Sequence, residues 1–482
     1  MDTITLPPGK SALQGYVFLS DPEGEAVFII ERNGMVWKQH PGLVFYLNKQ
    51  IRPEIWNWHS LLSGEAKWSF PEPGFPELEL RGEGKTLTFI CAGEELWCRC
   101  GDDVRDVESG KVVPLEQYEI CKRGMHTFWQ EEMRPFLREY PTPLLRDAVL
   151  NSVMFCRMAF TGIEPHYGVG FYGLEEHDGF PPTILSVTDL YLLAGEKSRA
   201  EALFGAYLKR FVSPESGEVN YYGTSISEYG MLLRWFYRFD ETFRRKYEAF
   251  GEALRRKIMQ MPVDAEYGLL IGSPEADERS DQGVFAHNNA QAAAGLIAAG
   301  EKYGAVLAER LVEALRIHRQ KCGFLPWRLD EVVAEPENFY DERKTGYANY
   351  RYYPELLESG ILPPEMEAEI IALRLKHNGE ENGITVMRNG RSDGVPGAYH
   401  YDDWTLWSIA AADFRSGRKE RFNAAWQGHL ALHTSPDTLM GYEQVNAFGS
   451  PRRPYADFCV PGQLTVPRLL LMQLSTPETE RL

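Results

Sequence analysis

Carboxylates set beside aromatic rings recur in five long segments of this 482-residue chain: EPHYGVGFYGLEEHDGFPP, YGLLIGSPEADERSDQGVFAHNN, TGYANYRYYPEL, GAYHYDDWTLW and MGYEQVNAFGSPRRPYADF. Flat apolar rings stack on pyranose faces and carboxylates accept hydrogen bonds from hydroxyls, so this mixture suits a sugar. Taken singly, each ring is better explained by packing between helices; the concentration in five segments is what points to carbohydrate. The first segment offers Glu175, Glu176, His177 and Asp178 for substrate hydroxyls, with capping of the helix beginning near Pro182 as the bland alternative. Tyr350, Tyr399 and Asn289 are further expected substrate contacts from the other segments. In GTSISEYG, Glu228 stands one turn into a helix behind Tyr221 and Tyr222, where it either faces the same site or complements the helix dipole.

These segments need rigid supports, and the hydrophobic periodicity supplies them. From Gln14 to about Cys121, short apolar runs (GYVFL, AVFIIE, GLVFYLN, KTLTFICA, ELWCRC) alternate with the turn signals DPEGE, RNG and RGEGK. That pattern predicts antiparallel strands, most simply a β-sandwich over residues 1–125, followed by a linker over 126–140. After Pro141 the period changes from two to 3.6. Helical stretches are predicted from about residue 142, then over 183–194, 197–212, 224–239, 241–260, 289–303, 305–320, 346–359, 363–376, 403–414, 417–433 and 463–474. That makes about twelve helices, or six hairpins, over residues 141–482. Short connections (AGEKS, RFDET, SGILPPE) alternate with long glycine-rich ones. The asymmetry predicts an (α/α)6 barrel whose loops at one mouth carry function, in preference to a solenoid with a regular period.

A formal charge of -18 and a pI near 5.2 oppose binding to nucleic acid or to an anionic membrane surface. The opening MDTITLPPGKSALQG lacks a basic start and an apolar core, and no stretch approaches the roughly 20 apolar residues of a membrane span, so a cytoplasmic protein is expected. Seven cysteines with no CxxC spacing disfavour a zinc site or a disulfide framework; no metal and no cofactor are expected. A homo-oligomer is allowed but not indicated.

The segment GYEQVNAFGSPRRPYADFCVPGQLTVPRLLL resembles the last long loop and final helix of the inverting (α/α)6 glycoside hydrolases, the clans of glucoamylase, trehalase and processing α-glucosidase I. The resemblance implies that Glu443, between the eleventh and twelfth helices, is the general base. YGLLIGSPEADERSDQG is similar to the loop between the fifth and sixth helices of those families, which carries the general acid. Here the usual acidic position falls on an uncharged residue, so the resemblance leaves Asp277 or Glu275, with Glu278 and Asp281 behind them. Where the families have Trp-Arg-Gly-Pro, this chain has Asp402-Asp403-Trp404, a departure that leaves the sugar open; Trp404 and Trp407 either flank a sugar subsite or close the helix bundle. The implied activity is an inverting, exo-acting glycoside hydrolase on a small oligosaccharide or glycoside, with carboxyls about 6.5 to 9.5 Å apart. Two alternatives keep the barrel. One is a sugar epimerase or uronate lyase drawing on His166, His177, His287, His400, Tyr399 and Arg351; the other is a non-catalytic carbohydrate-binding protein.

Overall fold

The computed structural model describes residues 131–158, 160–161, 163–165, 167, 178–221, 224–275, 281–331, 351–378, 380–381, 384–385, 387–389, 398–432, 444–446 and 459–475, together with the backbone of ten strands before residue 131. Those strands are β1 (Asp2–Thr5), β2 (Tyr16–Ser20), β3 (Val27–Glu31), β4 (Val36–Gln39), β5 (Ala66–Ser69), β6 (Leu78–Glu83), β7 (Thr86–Cys91), β8 (Glu94–Cys100), β9 (Asp103–Asp106) and β10 (Val112–Pro114). They form a seven-stranded sheet in the order β1-β5-β6-β7-β8-β9-β10 and a three-stranded sheet β2-β3-β4. Most pairings are the expected antiparallel ones, such as Leu78↔Cys91 through Glu83↔Thr86 around the RGEGK turn. The pairing of β1 with β5 is parallel, from Asp2↔Ala66 to Thr5↔Ser69. The intervening chain leaves to build the second sheet and returns in the same direction, a crossover that local turn signals do not encode. The run GLVFYLN and the stacking of the two sheets into a sandwich lie outside the described residues.

Residues 131–140 dock on the helical domain. Met133 and Phe136 enter its core, Glu132 pairs with Arg157 at 3.1 Å and also with Arg199, and Arg138 donates to the carbonyl of Ala194. This part of the expected linker is therefore built into the barrel.

Twelve helices follow among the described residues: α1 (Pro143–Met158), α2 (Pro181–Ala194), α3 (Lys197–Phe211), α4 (Ile226–Phe236), α5 (Glu248–Met259), α6 (Ala286–Ala298), α7 (Lys302–Cys322), α8 (Tyr353–Glu358), α9 (Pro364–Asn378), α10 (Asp403–Arg415), α11 (Lys419–Leu432) and α12 (Thr465–Ser475). Single-turn helices at Glu241–Lys246 and Val460–Gln463 lead into α5 and α12. The even-numbered helices pack side by side in chain order, and α12 returns to pack on α2, so the inner ring is closed. The odd-numbered helices lie outside it. The sequences explain the sorting. α2 is buried continuously from Pro181 to Tyr191 and α6 from Ala286 to Leu296, as helices without a polar face must be. α3, α5 and α7 bury one stripe and expose Lys, Arg and Glu on the other.

Two inner helices touch backbone to backbone. A Cβ at Gly230 on α4 would lie 2.3 Å from the carbonyl carbon of Gln291, and one at Gly295 on α6 would lie 2.5 Å from the carbonyl oxygen of Gly230. The predicted boundary of the third hairpin shifts: α6 ends at Ala298 and α7 starts at Lys302, where the alanine-rich period had suggested 303 and 305. Gly300, at φ +75°, makes the turn there. No described helix is long and apolar enough to cross a membrane.

Candidate active site

Every inner helix begins after a long connection, and α2, α4, α6, α8 and α10 each end in a short one; α12 packs between α10 and α2 with its approach bonded to that of α2, so the six inner N-termini share one mouth. Four of the approaches to those N-termini converge on Arg351, just ahead of α8, whose side chain is almost wholly buried. Its Nη2 donates to Glu228 of α4 at 2.6 Å, Nη1 pairs with Glu275 of the loop before α6 at 2.9 Å, and Nε donates to Glu355, one turn on in α8, at 2.5 Å. The ring of Phe180, the residue just before α2, has its centre 5.8 Å from the guanidinium. One cation thus gathers three carboxylates, from α4, from the loop before α6 and from α8.

Local structure fixes each partner. Ser225 and Glu228 form a reciprocal capping box at the start of α4, with the Ser225 N–H donating to Glu228 at 2.7 Å, so one Glu228 oxygen caps the helix and the other receives Arg351. Glu275 is held through its loop. His287, Asn288 and Asn289 in the first turn of α6 bond back in order to the carbonyl of Pro274 (2.9 Å), the carbonyl of Ser273 (2.8 Å) and both backbone groups of Leu270 (2.7 and 3.1 Å). Asn288 also accepts from the Ser227 N–H at 3.0 Å, tying this loop to α4. Of the three carboxylates around Arg351, the side chains of Glu228 and Glu355 are fully buried, whereas that of Glu275 keeps 11% of its surface. Glu275 is therefore the most accessible of the three.

The charges are unevenly matched. Burial alone would pull the Arg351 guanidinium down, but Glu355, Glu228 and Glu275 together push it well above its ordinary value. Burial raises the Glu355 carboxyl, and Arg351 opposes that only in part. Three carboxylates around one guanidinium in a dry site leave excess negative charge, which favours holding a proton within the cluster. Beside it, His287 is fully buried and its ring stacks on Tyr352 with centroids 4.6 Å apart. Burial drives its pKa down to about 3, so the imidazole is neutral.

The remaining loops close the rim. Strands β11 (Met387–Asn389), β12 (Ala398–Asp402) and β13 (Gln444–Asn446) form one antiparallel sheet, with Asp402 opposite Gln444 and His400 opposite Asn446. This sheet joins the loop before α10 to the loop before α12. The latter is tied in turn to the loop before α2, where the Val460 N–H donates to the Tyr167 carbonyl at 2.7 Å. Asp178 accepts from the Tyr167 N–H at 3.1 Å and is buried; α2 has no side-chain cap, so Asp178 braces the loop instead of capping the helix.

The structure sorts the expected site residues unequally. Glu275 is brought to the Arg351 cluster. Asn289 was expected to touch substrate, but its carbonyl oxygen and amide group bond the backbone of Leu270 and Phe285 in the core, which gives it a framework part. Tyr399 and Asp402 lie on β12, with Asp402 opposite Gln444 of β13, and Asp403 and Trp404 open α10. Glu443, Asp277, Glu175, Glu176, His177, His166 and Tyr350 lie outside the described residues; Glu443 directly precedes β13. Glu355 and Asn288 were not singled out by sequence. The signal for Glu355 was its spacing of four from Arg351, and for Asn288 its place in the run His287-Asn288-Asn289 at the head of a helix. Among the described residues no group of three or more His, Cys, Asp or Glu is arranged to hold a metal ion.

No family model matches the chain, and no curated protein matches it. Solved structures do. A wild-type glycosidase aligns at TM-score 0.42 and 11% identity, covering 72% of this chain and 98% of its own. Cellobiose 2-epimerase from Bacillus thermoamylovorans B4167 aligns at TM-score 0.47 and 11% identity over 72% of this chain and 98% of its own. A family 105 glycoside hydrolase from C. acetobutylicum ATCC 824 aligns at 0.41 and 15%, over 67% and 96%.

Proposed function

We propose that this chain is a carbohydrate-active enzyme, an inverting, exo-acting glycoside hydrolase on a small oligosaccharide or glycoside, with its site at the mouth formed by the inner-helix N-termini. The observation that carries the reading is the convergence of Glu228, Glu275 and Glu355 on Arg351 at that mouth, with Glu275 the most accessible of the three. Two roles are needed. A protonated carboxyl delivers its proton to the leaving oxygen, and an ionised one activates water on the opposite face of the ring. Glu275 is assigned as the acid, with Asp277 two residues on as the alternative in the same loop. The excess of carboxylates around Arg351 supplies the negative field that favours a retained proton. Glu443 is assigned as the base. The pairing of Asp402 with Gln444 supports this, since it draws the loop bearing Glu443 against the loop bearing Tyr399, Asp402, Asp403 and Trp404.

Glu275→Gln, Asp277→Asn and Glu443→Gln, assayed on a glycoside the wild type cleaves, separate the assignments. Loss of a general acid or base lowers kcat by about 100-fold to 10,000-fold. The reading expects that loss for Glu443→Gln and for one of the other two; near-full activity in Glu443→Gln would remove the assigned base.

A second reading, sugar epimerase, is favoured by one observation: His287 is neutral, and its Nδ1 makes no hydrogen bond among the described residues. A neutral imidazole beside a guanidinium can move a proton next to a carbonyl. Deuterium appearing on a sugar carbon in heavy water without bond cleavage would select that reading over hydrolysis.

A further inference from the structure

A polar cavity extends from the short-turn end, opposite the mouth, into the ring. It has a volume of about 300 Å3 and is lined by residues 185–193 of α2, 231–235 of α4 and 407–415 of α10, by α12 and by the end of α8. Its charged walls are Arg234, Arg238, Arg415 and Arg468 against Asp189 and Glu358. Four guanidiniums and two carboxylates line it, and a third carboxylate, Glu367, pairs with Arg415 at 3.2 Å, which leaves a local surplus of one positive charge in a chain whose net charge is -18.

The carboxylates are shared. Asp189 accepts from Arg468 at 3.0 Å and pairs with Arg238 at 3.3 Å, while Glu358 receives Arg234 at 2.5 and 2.6 Å. Helix C-termini gather at this end and favour cations, which accounts for Arg415: it donates to the Leu357 and Glu358 carbonyls that end α8 and also pairs with Glu367. Arg234 and Arg238 contact carboxylates and a ring, and Arg468 contacts Asp189, the Trp407 ring and the Ser186 hydroxyl. Arg468 is buried, with its guanidinium 3.4 Å from the centre of the Trp407 ring; Arg238, 45% exposed, stacks on Trp235 at the opening. The cavity thus runs from an exposed arginine at the rim to a buried one at depth, between two indoles. Forked donors in that arrangement match the oxygens of a phosphoryl group, and the volume is at the lower end of that of small-molecule sites.

We propose that this basal cavity binds a small phosphoryl anion, either free phosphate or a phosphorylated monosaccharide. The proposal does not depend on the reaction assigned to the mouth.

Trp235 and Trp407 report on the site directly, so the test is tryptophan fluorescence at constant ionic strength, titrating the intact protein with inorganic phosphate and separately with a hexose phosphate. Saturable binding is expected. Arg238→Gln should weaken it by about 10-fold to 100-fold, the loss of one charge-assisted contact. Arg245→Gln, the same charge change on an exposed turn outside the ring, should leave it unchanged. Tighter binding of the hexose phosphate assigns a phosphosugar, and equal affinities assign free phosphate. No saturable binding of either up to about 10 mM, or equal weakening in the two variants, overturns the site.

Discussion

Replacing Arg351 by Met removes the single cation that Glu228, Glu275 and Glu355 share, at 2.6, 2.9 and 2.5 Å, while keeping most of the buried volume. Breaking a buried ion pair by deleting one partner costs about 3–5 kcal/mol, because the other charge is left uncompensated. Here three carboxylates are stranded, so the upper part of that range is expected near pH 8. The sign of the pH dependence follows from linkage. Without Arg351 the folded-state carboxyl pKa values rise above their unfolded values; such groups stabilise the fold below the unfolded pKa, and that contribution is lost as pH rises through the folded one. The deficit relative to wild type should therefore shrink by at least about 1 kcal/mol near pH 5. Urea unfolding followed by circular dichroism at the two pH values measures both quantities, and Glu355→Gln added to Arg351→Met should recover part of the loss. A deficit under about 1 kcal/mol, or one that does not change with pH, would refute the claim that these groups form one buried, proton-sensitive cluster.

Three further outcomes follow from the same geometry. The neutral His287, depressed from 6.5 to about 3, contributes stability that is present above pH 6.5 and lost as pH falls toward 3, roughly 5 kcal/mol in all; His287→Gln should flatten the acid limb of a stability–pH curve. Gly230→Ala places a methyl 2.3 Å from the α6 backbone and should lower the unfolding midpoint by the equivalent of about 1–3 kcal/mol or more, whereas Gly195→Ala meets nothing within 4 Å and is disfavoured only by its φ of +88°. Asn288→Ala frees both the Ser273 carbonyl and the Ser227 N–H; it should cost about 1–3 kcal/mol and speed amide exchange across residues 270–275.

Much of this architecture was legible because it is written locally. The 3.6 period located all twelve ring helices, since each must bury a stripe or a whole surface, and the alternation of short and long connections indicated that the inner helices share a direction. Ser225-x-x-Glu228 was readable as a helix start. What Glu228 does beyond capping was not, because the second oxygen is claimed by Arg351, 123 residues away in sequence. Arg351 and Glu355, four residues apart, read equally well as an ordinary exposed helix pair; only tertiary packing makes them the centre of a buried cluster. Asn289 illustrates the opposite error, a polar residue in a promising segment whose amide is spent on the backbone of Leu270. The parallel pairing of β1 with β5 and the sheet joining β12 to β13 escaped for the same reason, since neither is set by a turn.

The central claim is that opposed carboxyls at the inner-helix mouth hydrolyse a glycosidic bond with inversion. Its most direct test is proton NMR of the first-formed product from a panel of disaccharides and aryl glycosides, recorded before mutarotation. Release of a sugar of inverted anomeric configuration, abolished in Glu443→Gln, is the predicted result. A product of retained configuration, or an epimer formed without cleavage, would contradict it.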